Sequence, residues 1–109
     1  MALIIKTDVD KVNEKLVFFL DGELDLSSAQ IFRESIEEEY RKNPGNIELN
    51  FEKIDFIDST GLGTLVSLSK LLDEKHRISV LNAKDHVNRV FTITGLDKLF
   101  IRKGDYRHE

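Results

Sequence analysis

Phe56-Ile57-Asp58-Ser59-Thr60-Gly61-Leu62-Gly63 joins two stretches of different hydrophobic period, and that change decides the fold class. Before it, Ile47, Leu49 and Phe51 alternate with Asn46, Glu48 and Asn50, the period-two pattern of a strand. Ile54, Phe56 and Ile57 carry the apolar content up to Asp58. After it, Leu62, Leu65, Val66, Leu68, Leu71 and Leu72 follow a helical spacing that predicts a helix over residues 60–74. Residues 77–81 then read as a further strand. A strand, a helix and a strand in that order imply parallel pairing through a right-handed crossover.

Working outward, two apolar runs at residues 3–8 and 15–21 suit an antiparallel hairpin, which makes the sheet mixed. The second run is apolar at five successive positions (Leu16, Val17, Phe18, Phe19, Leu20), which predicts burial on both faces. Ser27 is expected to open a helix, with Gln30 completing a capping box. Ala29, Phe32, Ile36 and Tyr40 fall on one face of that helix, while Arg33, Glu34, Glu37 and Glu38 look outward. Asn43-Pro44-Gly45-Asn46 is a turn signal. A third helix is predicted over 85–94, packing through Val87, Val90 and Phe91, with Gly95 as its C-terminal cap. Leu96, Leu99, Phe100 and Ile101 return apolar surface to the core. The order is ββαβαβα with a final short strand or turn. It predicts one α/β domain over residues 1–109, with a mixed four- to five-stranded sheet and helices mainly on one face.

The 109 residues suffice for one core, and 40% hydrophobic with 33% charged residues is an ordinary globular balance. No cysteine is present, which excludes disulfides and thiol chemistry and fits a reducing cytoplasm. The net charge of −4, with basic residues scattered among acids, argues against nucleic-acid binding. No apolar run approaches the length of a membrane span, and the N-terminus lacks a signal-peptide pattern. A cytoplasmic protein with no membrane contact is expected. The absence of long apolar surface stripes points to a monomer.

The informative chemistry lies where strand gives way to helix. Free N–H groups and a partial positive charge gather at a helix N-terminus and favour an anion or phosphate. Asp58 or Ser59 could serve simply as a cap there. Gly61 and Gly63, however, each lower helix propensity in the first turns by up to about 1 kcal/mol. Their bare backbone would let another molecule approach. On a helical projection Thr60, Gly63, Thr64 and Ser67 form one stripe of small residues, opposite the leucines. Such a stripe beginning at a hydroxyl cluster reads either as a docking surface or as an ordinary solvated face.

Other signals are weaker. Asp21-Gly22-Glu23-Leu24-Asp25 lacks the ligand order of a calcium loop and reads as an acidic interface loop. Gly61-Leu62-Gly63 lacks the ending of a phosphate-binding P-loop, and Ile57 stands where a serine-hydrolase elbow needs glycine. His76, His86 and His108 follow no metal-ligand spacing. No cofactor or metal is expected. A receiver domain would make Asp58 the phosphate acceptor, but the clustered acidic pair that holds its magnesium is not evident.

The octapeptide resembles the signature of STAS domains, specifically the anti-sigma factor antagonists. Gly22-Glu23-Leu24-Asp25-Leu26 and Val90-Phe91-Thr92-Ile93-Thr94-Gly95-Leu96 resemble further stretches of that family, in its order and spacing. The resemblance implies a small STAS-like mixed sheet backed by helices and no reaction of its own. It implies that Ser59 is phosphorylated by a serine kinase that is also the anti-sigma factor. The unphosphorylated form would bind that kinase and free the sigma factor, and a metal-dependent serine/threonine phosphatase would restore it. Asp58 matches the aspartate beside the acceptor; Gly22, Glu23 and Asp25 match the adjoining kinase-facing loop. With Thr60, Gly61, Gly63, Thr64 and Ser67 they make up the expected partner-binding set. A STAS scaffold in a transport or signalling assembly, and a ligand-sensing STAS domain, are the alternative roles.

Overall fold

The computed structural model describes residues 3–101; His108 lies outside them. Strands β1 (Ile4–Asp10) and β2 (Lys15–Leu24) form the antiparallel hairpin. Helix α1 (Ala29–Lys42) leads to β3 (Asn46–Ile57), helix α2 (Ser59–Leu71) to β4 (Ile78–Leu81), and helices α3 (Asp85–Thr94) and α4 (Asp97–Phe100) close the order. The sheet runs β1-β2-β3-β4, with β2–β3 and β3–β4 parallel. A single parallel bridge from Ile101 to Val80 marks the expected final strand at β4.

Alternation along β2 and β3 puts Leu16, Phe18, Leu20, Leu24, Ile47, Leu49 and Phe51 into one core. Each helix adds to it: Phe32 and Ile36 from α1, Leu62 and Leu65 from α2, Phe91 from α3, Phe100 from α4. Phe91 lies between Phe51 and Phe100 at ring separations of 6.1 and 6.2 Å. Fully burying a side chain of this size contributes about 1.5–3 kcal/mol, so these rings dominate the docking of the C-terminal helices.

Several expectations fail for identifiable reasons. The strand β2 is buried on one face, since Phe19 is 45% exposed and Val17 half-buried. Its continuous apolar run conceals a strict alternation, because the helices gather on the other face. Ser27 caps nothing. Its hydroxyl and N–H both donate to Asp25 Oδ1, at 2.8 and 3.0 Å, and Gln30 reaches Glu34 instead. Arg33 does not simply look outward, because it crosses to α2. Helix α2 stops at Leu71 rather than 74, which leaves Leu71 on its exposed side. Leu99 is likewise exposed, since the one-turn α4 turns Phe100 inward. The third helix runs as read, with Gly95 left-handed at φ 79°.

Candidate functional site

The C-terminal ends of β2 and β3 lie side by side, pairing Glu23 with Phe56 and Leu24 with Ile57. Asp58 therefore leaves β3 beside the segment that leaves β2. All four of its polar main-chain and side-chain groups are engaged. Its N–H donates to the Leu24 carbonyl (3.3 Å) and its own carbonyl accepts from Leu62 N–H (3.0 Å). Carboxylate Oδ1 accepts from Gly61 N–H (2.9 Å), which caps α2, and Oδ2 accepts from Leu26 N–H (3.3 Å). One carboxylate thus joins the helix start to the β2–α1 loop across 32 residues of sequence.

Ser59 follows as the first residue of α2, and its side chain is exposed. Its position combines solvent access with the positive end of the helix dipole, a favourable place for added negative charge. Thr60 is half-buried, and its carbonyl accepts from the Thr64 hydroxyl at 2.9 Å. Gly63 is exposed, and a Cβ there would meet nothing within 4 Å.

Gly61 behaves oppositely. A Cβ there would stand 2.4 Å from the Leu24 carbonyl oxygen and 3.0 Å from both Leu24 and Ile57 side chains. It is buried and makes room for the chain's own backbone, not for a visitor, which corrects its place in the partner-binding set. Ser67 is half-buried and tied to α1. Its hydroxyl lies 2.9 Å from Arg33 Nη1, whose Nε bonds Glu37 at 2.8 Å, so α1 holds the far end of the stripe. Gly22 and Glu23 belong to β2 rather than to a loop. Gly22 is buried at φ 131°, beside a register shift against β3. Glu23 is half-buried, and its carbonyl accepts from the Ser28 hydroxyl at 2.7 Å.

Asp25 begins the loop. Hydrogen bonds from the Ser27 hydroxyl, and secondarily from the Ser27 N–H, hold its carboxyl below the ordinary value of 3.8 against partial desolvation. Ser28, which sequence reasoning passed over, organises this turn. Only 4% exposed, its hydroxyl donates to the Glu23 carbonyl and accepts from Asp25 N–H at 3.1 Å. Nothing in the sequence separates Ser27 from Ser28 as the loop's internal partner. Leu26, also passed over, is 77% exposed.

Two histidines, His76 and His86, make contacts elsewhere. His76 Nδ1 is 2.8 Å from the Tyr40 hydroxyl, and His86 Nε2 is 2.6 Å from the Asp55 carbonyl. Asp55 also pairs with Lys84, which holds its carboxyl below the ordinary range. Among the described residues no group of three or more His, Asp or Glu side chains is placed to hold a metal ion, and no helix is long and apolar enough to cross a membrane.

A family model for the STAS domain matches residues 6–107. An anti-sigma-B factor antagonist of Staphylococcus aureus is 32% identical over 85 residues, covering 76% of this chain and 79% of that protein. SpoIIAA, a Bacillus cell fate determinant solved in a phosphorylated form, superposes with a TM-score of 0.68 at 26% identity, over 90% of this chain and 89% of its own. Its unphosphorylated form, an anti-sigma factor antagonist, gives 0.66 over 83% of each chain. TM1081 of Thermotoga maritima gives 0.78 at 21% identity, over 89% of this chain and 83% of its own, a likeness of fold.

Proposed function

This chain belongs to the STAS domain family, and from that premise we propose that it is an anti-sigma factor antagonist switched by phosphorylation of Ser59. Unphosphorylated, it binds an anti-sigma factor that is also a serine kinase and so releases a sigma factor. The kinase passes the γ-phosphoryl group of ATP to Ser59 Oγ, which loses its proton, and binding ends. A metal-dependent serine/threonine phosphatase hydrolyses the ester and restores the cycle. The chain acts in the cytoplasm as a substrate and ligand of these enzymes and catalyses nothing itself. SpoIIAA, a relative known in both phosphorylation states, supports the reading.

The observation that carries it is the exposed Ser59 side chain at the first position of a helix capped by its neighbour Asp58. Phosphorylation adds about −1.5 to −2 charges and three strong acceptor oxygens. The helix dipole accommodates them, so the fold need not move. A partner shaped around a neutral hydroxyl beside Asp58 would instead bury a poorly paired dianion. Such a mismatch costs on the order of 2–5 kcal/mol, or about 30- to 4,000-fold in affinity.

Incubation with the serine kinase and ATP tests this directly. Ser59→Ala should abolish labelling yet retain kinase binding, and Ser59→Asp should weaken binding. Labelling of Ser59→Ala at the wild-type level would overturn the assignment. Acid-stable, hydroxylamine-resistant phosphate is expected for phosphoserine; a labile acyl phosphate would move the acceptor to an aspartate.

A further inference from the structure

We propose that Leu26 is the apolar anchor of the partner-binding surface, and that Asp58 is a positioning residue which holds Leu26 beside the acceptor serine. The inference rests on the docking proposed at Ser59 and specifies the residues that shape it.

Leu26 is 77% exposed. Other large apolar side chains are exposed too, among them Val12 at 91% and Ile93 at 75%, so exposure alone decides nothing. What distinguishes Leu26 is a rigid backbone directly joined to the acceptor segment. Its N–H donates to Asp58 Oδ2, while Asp58 Oδ1 fixes the first turn of α2 through Gly61 N–H. On the other side, Asp58 N–H and the close seat of Gly61 both bear on the Leu24 carbonyl. Ser28 then ties Asp25 N–H to the Glu23 carbonyl through its hydroxyl. Leu26 and Ser59 therefore project from one hydrogen-bonded frame, not from two independent loops.

An apolar side chain presented on an ordered backbone binds with less conformational loss than one on a mobile loop. Residues whose burial dominates an interface are commonly anchors of this kind, set in a pocket and ringed by polar groups. Asp25 precedes the leucine in the chain, its carboxylate oxygen Oδ1 accepting from the Ser27 hydroxyl and N–H. The fitting partner surface is an apolar pocket next to the cleft that delivers the phosphoryl group. Asp58 works inward: both of its carboxylate oxygens already accept main-chain N–H groups. Its contribution to binding passes through the loop that it holds.

The test is a double-mutant cycle, read as equilibrium binding to the purified serine kinase that phosphorylates the chain. Leu26→Ala should weaken binding by about 30-fold or more without lowering the melting temperature. Leu26→Met, which keeps the volume, should retain most of the affinity. Asp58→Asn replaces one accepting oxygen with an NH2 that cannot receive the Leu26 or Gly61 N–H, and it should also weaken binding. In a Leu26→Ala background, however, Asp58→Asn should add little, because residues acting through one contact are not additive. Fully additive losses would mean that Asp58 acts on binding by a route other than Leu26, through the start of α2 or by direct contact. That result would overturn its role as the residue that positions Leu26. Wild-type affinity in Leu26→Ala would remove the anchor while leaving the proposed function standing, provided that Ser59→Asp still releases the kinase. A wild-type chain that binds no such kinase would overturn the proposed function and this inference together.

Discussion

The two ends of the sheet solve the same packing problem and come to different uses. At the acceptor end, a Cβ on Gly61 would stand 2.4 Å from the Leu24 carbonyl oxygen; at the opposite end, one on Gly45 would stand 2.4 Å from that of Glu14. In each case a glycine lets one chain segment sit against the backbone of another. At the Gly45 end the surrounding polar groups are then satisfied internally. Asn46 N–H donates to the Glu14 carbonyl at 2.9 Å, Asn46 Oδ1 accepts from Arg77 N–H, and Ile47 N–H donates to the Arg77 carbonyl. At the Gly61 end the frame is just as closed, yet it leaves Ser59, Gly63 and Leu26 facing outward. A tightly seated glycine is therefore an architectural feature of this fold, and the candidate site is what projects from the frame around it.

The largest expected effect that would break this comparison is steric. Gly61→Ala and Gly45→Ala should each destabilise the fold by about 1–3 kcal/mol, as overpacking against rigid backbone does. Thermal or urea unfolding measures both. A neutral Gly61→Ala would mean that the acceptor end is more pliable than its counterpart. Gly63→Ala has the opposite sign, since its Cβ enters open space and alanine favours the helix by about 1 kcal/mol. It should raise the melting temperature while weakening partner binding. A variant that is both more stable and binds unchanged would remove Gly63 from the docking surface.

The smallest effect is electrostatic and sharpens the symmetry of the two ends. Asp10 near the hairpin tip and Asp25 near the acceptor each accept hydrogen bonds from a residue just downstream, Asn13 and Ser27. Both carboxyls are held below 3.8 mainly by those side-chain bonds. A lowered folded-state value means that their contribution to stability is complete above about the unfolded value. It is lost as pH falls through the still lower folded value. Carboxyl chemical shifts followed through an acid titration should place both midpoints below 3.8, and Ser27→Ala should move only that of Asp25 upward. Because both groups are solvent-accessible, the accompanying change in stability should be small.

Much of the architecture was legible because period is a property of sequence. Ile47, Leu49 and Phe51 alternate, Leu62, Leu65 and Leu68 recur at helical spacing, and both patterns survive folding unchanged. The limits of the third helix and its glycine cap were equally local. The misreadings share a cause. Five apolar residues in β2 do not say which face the helices will cover, and Ser27 does not say that Asp25 will claim its hydroxyl before a helix can. Gly61 and Gly63 look alike as letters; one is closed by Leu24 and the other open to solvent.

By itself, then, the sequence determined the mixed α/β order, the strand-to-helix handover at Asp58-Ser59, and the absence of any thiol or disulfide chemistry. Those depend on periodicity, propensity and composition, which act within a few residues. Only the tertiary structure decided that Asp58 spans to Leu26, that Arg33 closes onto Ser67, and which glycine is filled. Each of these depends on parts of the chain about 30 residues or more apart that meet only once the sheet has placed its strand ends side by side.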